Sequence, residues 1–134
     1  MTSDVVGDAG ALVALLVDAG PDGVWAAERL AGSAIAAPHH APFEVANILR
    51  RHELAGLVSS DLAQQAHADL IDLGIELWPY EVLAPRAWAL RLNLSLYDAA
   101  YVALAEMTAS TLVTLDRRIA AAPGVRCAVA IRGG

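Results

Sequence analysis

The amino-acid sequence predicts a three-layer α/β/α domain built on a mainly parallel sheet of about five strands. Short apolar segments rich in Val, Ile, Leu and Ala alternate with helical segments along the chain, the pattern of βα units. The short segments are apolar on both faces, as strands covered by helices on each side must be. A third observation places a candidate site. In Asp4-Val5-Val6-Gly7-Asp8-Ala9-Gly10-Ala11-Leu12 a strand gives way to a helix at Asp8, on the carboxyl edge where open α/β sheets bind ligands. Asp is also a preferred helix N-cap, so capping alone would explain Asp8.

The first helix runs on to the stop Asp18-Ala19-Gly20-Pro21, and Asp22 to Leu30 reads as a second short helix. Ala34 to Pro38 is a strand ended by proline, and His39-His40-Ala41-Pro42 a turn whose Pro42 announces the next helix. In Phe43 to Leu54, Val45, Ile48, Leu49 and His52 make one helical stripe, and Glu44, Asn47 and Arg51 another. Ser59 and Ser60 cap a helix whose expected buried stripe is Leu62, Ala66, Leu70 and Leu73, stopped by Gly74. Ile75 to Trp78 is a third strand, and Pro85 is expected to open a helix to about Asn93, anchored in the core by Trp88. Ser95-Leu96-Tyr97-Asp98 has the form of a capping box, and Ala99 to Met107 is apolar nearly all round. Thr111 to Leu115 is a strand, Asp116-Arg117-Arg118 starts a helix, and Val125 to Ile131 is the last strand.

The 134 residues fit one domain spanning 1–134, with no repeat or linker. No apolar run has the ~20 uncharged residues of a membrane span, and no basic region precedes an apolar segment at the start, so a cytoplasmic protein is expected. The single Cys127 suits a reducing compartment and reads as a small buried hydrophobe. Net charge is −6, from 15 acids against 9 Arg and no Lys, which argues against a general nucleic-acid binder.

Four carboxylates share one address. Asp8 and Asp116 each follow a strand, and Glu44 and Asp98 each fall in a first helical turn. As separate caps each would contribute about 0.3–2 kcal/mol. As one cluster they would repel unless a cation bound among them. An all-oxygen, Cys-free pocket suits Mg²⁺ or Mn²⁺ rather than Zn²⁺, and such ions hydrolyse phosphodiesters.

The motifs Asp8-Ala9-Gly10-Ala11-Leu12-Val13, Phe43 to Arg51 with its Glu44, Leu96 to Ala105 with its Asp98, and Leu112-Val113-Thr114-Leu115-Asp116-Arg117-Arg118 resemble, in this order and spacing, the PIN-domain ribonucleases and within them the VapC toxins. The resemblance implies an endoribonuclease dependent on Mg²⁺ or Mn²⁺, with Asp8, Glu44, Asp98 and Asp116 as its acidic residues. It also implies a homodimer, or a hetero-oligomer with a VapB-type antitoxin. At Gly10 this family commonly has Ser or Thr, so a hydroxyl near the metal's water shell is missing.

Around the four acids, Asn47 and Thr114 are candidates to orient Glu44 and Asp116. Arg50, Arg51, Arg117 and Arg118 are candidates to meet RNA phosphates, although such arginines often pair with local acids. His39 and His40 lack a third nitrogen or sulfur ligand and read as turn residues. Trp25 reads as core, with the helix that carries it offering a groove for a partner. Receiver domains and haloacid-dehalogenase-like phosphatases also carry acids on a sheet rim, but what those families imply includes a phosphate-site lysine, which this chain lacks. The alternative from another class is a non-catalytic PIN-like interaction module with an inert acidic site.

Overall fold

A computed structural model describes residues 4–133. Five strands, β1 (Val5–Gly7), β2 (Ile35–Pro38), β3 (Glu76–Trp78), β4 (Thr111–Thr114) and β5 (Val129–Ile131), form one sheet in the order β3-β2-β1-β4-β5. Every neighbouring pair is parallel. The helices are α1 (Ala9–Val17), α2 (Pro21–Leu30), α3 (Ala41–Leu54), α4 (Ser60–Asp72), α5 (Tyr80–Ala89), α6 (Leu96–Met107) and α7 (Arg117–Ala121). This is the expected three-layer α/β/α arrangement. Val5 pairs with both Ile35 and Thr111, so β1 is the central strand, and all five strands end on one edge.

Strand alternation divides the core into two layers. Val6 and Leu112 pack against α5 and α6 through Leu83, Ala87, Val102 and Leu104. Val113, on the opposite face, packs with Leu12, Leu30, Val45, Leu49 and Leu70 of α1–α4. Ala99 to Ala105 is buried continuously, which explains the all-round apolar character of α6. Among the described residues, no single helix is long and apolar enough to cross a membrane.

Several expectations are corrected. Helix α5 begins at Tyr80, directly after Pro79, and ends at Ala89, with Pro85 inside it. Pro85 removes one intrahelical hydrogen bond. Burial of Leu83, Ala87 and Leu90 against α6 offsets that loss. Trp88 is not a core anchor: it is 56% exposed, with the Arg91 guanidinium 4.6 Å above its ring. In α4 the buried positions are Ala63, Ala66 and Leu70, while Leu62 is exposed and Leu73 half-buried. Strand β5 starts only at Val129; upstream of it, Arg126 N–H donates to Glu106 Oε2 at 2.8 Å. Cys127 is half-buried rather than buried, and Trp25 packs half-buried against the α1–α4 layer.

The corner between α1 and α2 turns on Gly23, where any Cβ would overlap the Asp18 carbonyl oxygen. Relief requires the backbone to move, because no flexible side chain stands in the way. We therefore expect Gly23→Ala to destabilise the fold by about 1–3 kcal/mol or more. Urea unfolding checks this, as a lower midpoint at unchanged slope.

Candidate active site

Four helices begin on the carboxyl edge of the sheet, and each brings one acid to a common pocket. Asp8 is the N-cap of α1: its Oδ1 accepts from Ala11 N–H at 2.9 Å, and the Thr114 hydroxyl donates to its Oδ2. The same Thr114 oxygen accepts from Asp116 N–H at 3.0 Å, so one buried hydroxyl bridges the ends of β1 and β4. Asp116 caps α7 and holds Arg118 by its backbone N–H (2.9 Å) and by its guanidinium, from Nε to Oδ1 (3.0 Å) and from Nη2 to Oδ2 (2.7 Å). Asp98 stands at the third position of α6, where its N–H donates to Ser95 Oγ at 3.1 Å, as the capping-box pattern anticipates. Glu44, in the first turn of α3, accepts from the Tyr101 hydroxyl at 2.8 Å through Oε1. His40 Nε2 stands 3.1 Å from that same oxygen, at ion-pair distance but off the line of a hydrogen bond.

Asp8, Glu44, Asp98 and Asp116 together line one cleft of about 590 Å³, with Tyr101, Ile48, Arg117 and Arg118 around them. Burial is the main reason the Asp8 carboxyl is pushed up to about 6. The hydrogen bonds from Thr114 and Ala11 oppose the shift, and the charges of Asp98 and Asp116 add to it. Asp98 is raised as well, by burial first and then by Asp116 and Glu44. For Glu44, burial is the largest influence and raises the carboxyl, but His40 and Tyr101 together outweigh it and the net shift is downward. Asp116 is lowered, chiefly by its hydrogen bonds from Arg118. Among the described residues, no three Asp, Glu, His or Cys side chains are yet drawn close enough to cage an ion. Glu44, Asp8 and Asp116 instead each lean on a neighbour of their own. The donor set of oxygen ligands on a desolvated, mutually repelling rim fits a hard divalent cation.

The structure thus brings the four predicted acids together, and Thr114 with them. Asn47 is exposed, and Glu44 is held by Tyr101 and His40 instead. Arg117 and Arg118 flank the cleft, whereas Arg50 lies in a separate groove with Glu53, Gln64 and His67, between α3 and α4. Arg51 is exposed on α3. Tyr101 and His40 carried a signal that sequence reasoning passed over. Tyr101 follows Asp98 by three residues and Glu44 follows His40 by four, the spacings that stack side chains on one helix face.

Four helix-borne acids on the rim of a parallel sheet mark the kind of α/β domain, and comparison with known proteins narrows it. The PIN domain family matches residues 5–125. The chain is 37% identical to Ribonuclease VapC1 of Mycobacterium tuberculosis over 127 residues, 94% of this chain and 96% of that protein. Ribonuclease VapC12 of the same species is 34% identical over 120 residues, covering 90% and 92%. The crystal structure of M. tuberculosis VapC20, a toxin that cleaves the sarcin-ricin loop, shares the fold. Its TM-score is 0.68 at 17% identity, over 92% of this chain and 97% of that one. The chain belongs to the PIN-domain family, on the branch of the VapC ribonucleases.

The raised Asp8 carboxyl sets a pH dependence for the metal-free protein. The folded state holds this proton more tightly than the unfolded chain, whose value is near 3.8. Ionising Asp8 therefore costs stability. The cost is absent below about pH 4, grows as pH rises toward 6, and is complete above it. At about 1.4 kcal/mol per pKa unit the full cost is on the order of 2–3 kcal/mol. Thermal melts in EDTA should accordingly fall between pH 4 and 6 for wild type, and Asp8→Asn should flatten that slope.

Proposed function

We propose that the chain is an endoribonuclease dependent on Mg²⁺ or Mn²⁺ and the toxin half of a toxin–antitoxin pair. The observation that supports this most is the convergence of Asp8, Glu44, Asp98 and Asp116 on one cleft in a chain of the VapC branch. The four carboxylates are the metal-holding residues. An ion held there supplies an activated water and a charge to stabilise the leaving oxygen of the scissile phosphodiester. Thr114 keeps Asp8 and Asp116 in register through its bridging hydroxyl. Arg117 and Arg118, exposed beside the cleft, would meet the phosphates of an RNA strand. Arg50, in its separate groove, is left out of the cleavage point.

Purified protein free of antitoxin should cut structured RNA with Mg²⁺ or Mn²⁺ and stop in EDTA. Asp98→Asn keeps the shape but removes a ligand charge, so the rate should drop roughly a hundredfold or more, since an ion contributes several kcal/mol to the transition state. Cleavage persisting in EDTA would sink the mechanism and favour an inert acidic site.

Silencing by a VapB-type antitoxin follows from the same surface. An apolar groove of about 430 Å³ runs between α1 and the second half of α3, over Val13, Val17, Ile48 and Leu57. It shares Gly10, Ile48 and Leu115 with the acidic cleft. An amphipathic antitoxin segment would lay its apolar face there and send an Arg or Lys to the acids. Trp25, half-buried in the core, is not part of that groove. Exposed Phe43 and Leu92, at 82% and 85%, offer further apolar area for a second copy. Reversing the charge of the antitoxin's basic tail residues should weaken the complex at least tenfold in Kd. Unchanged affinity in a binding titration would overturn the inserted-cation account.

A further inference from the structure

We propose that Tyr101 and His40 are positioning residues for Glu44: together they occupy its Oε1 and leave Oε2 as the oxygen it presents to a divalent cation. The inference rests on the metal-dependent reading given above.

Two observations carry it. The Tyr101 hydroxyl and His40 Nε2 both approach the same oxygen, at 2.8 and 3.1 Å. The hydroxyl bonds Oε1 and the imidazole crowds it from a second side, which leaves Oε2 for the cleft that Glu44 shares with Asp8 and Asp98. Second, neither neighbour is free to wander. Tyr101 is 1% exposed within the continuously buried face of α6. The His40 ring is held edge-on between Tyr97 and Tyr101, with centroids at 5.4 and 5.2 Å and planes at 64° and 72°. Glu44, a flexible side chain that would lose rotamer freedom on binding an ion, is therefore already ordered.

Elements far apart in sequence make this clamp. Tyr101 lies 57 residues from Glu44, and His40 sits one turn before it, where β2 runs into α3. The contact between α3 and α6 thus sets where one metal ligand points, with neither neighbour touching the metal.

Tyr101→Phe removes only the hydroxyl and keeps the ring that packs on His40. Manganese affinity is measured by electron paramagnetic resonance on RNA-free protein, with melting in EDTA beside it. Outer partners of metal ligands typically control affinity by 10- to 100-fold. Tyr101→Phe should therefore weaken Mn²⁺ binding about tenfold or more, and lower kcat with KM for RNA unchanged. His40→Ala should act in the same direction. The double variant should lose less than the product of the two factors, because both act through one oxygen. Wild type that binds Mn²⁺ with both variants matching its affinity overturns the clamp and leaves the nuclease reading standing. Losses that multiply in full would likewise count against a shared oxygen. A wild type that binds no Mn²⁺ fails the metal-dependent reading itself, and the clamp with it.

Discussion

The hydroxyl of Thr114 joins the two central strands where they end, and the site depends on that joint. β1 and β4 run parallel, with Gly7 opposite Val113. Just beyond that pair Thr114, fully buried, donates to Asp8 and accepts from Asp116 N–H. One small side chain thereby fixes two N-caps, those of α1 and α7. Parallel pairing does the rest. Every strand delivers its carboxyl end to the same edge, so α1, α3 and α7 begin there, and α6, returning after α5, brings Asp98 to the same cleft. Their N-terminal dipoles, each equivalent to roughly half a positive charge, face the acids. The fold that crowds four carboxylates also supplies part of the field that tolerates them.

That compensation is uneven, and the unevenness has chemical meaning. Asp116 has a two-pronged guanidinium from Arg118, and Glu44 has Tyr101 and His40. Both carboxyls are lowered. Asp8 and Asp98 are pushed up, by burial first and then by like charges nearby. Below about pH 6 a proton on Asp8 relieves part of the excess charge, and Arg118 offsets the charge of Asp116. Asp8 and Asp116 each use one carboxylate twice, to cap a helix through a backbone N–H and to line the cleft.

Much of this was legible in the sequence, for identifiable reasons. Asp8 and Asp116 announce themselves because a strand gives way to a helix beside them, and Asp98 by the Ser95 side-chain cap at the start of its helix. Helix α5 was misplaced because Pro85 reads as a helix start, and only packing on α6 reveals that it is interior. Trp88 was assigned to the core on size alone, yet Arg91 covers it at the surface. Leu62 fitted a buried stripe by spacing, but α4 is rotated so that Ala63 faces inward. Local pattern gives the period of a helix. The neighbouring helices decide its phase.

Gly10 ties the cleft to the groove beside it. Unlike Gly23, it is not demanded by packing: a Cβ there would meet only Asp8 Oδ1, at an unstrained 3.8 Å. Glycine inside a helix costs roughly 0.5–1 kcal/mol relative to alanine, so this position carries a penalty that the core does not require. It lines both the acidic cleft and the apolar groove of α1 and α3. Where relatives in the family commonly place a hydroxyl, this chain leaves bare backbone. The hydroxyl at Asp8 comes from Thr114, the last residue of β4, instead. Gly10 therefore lies where apolar groove and acidic cleft meet, with no side chain of its own between them.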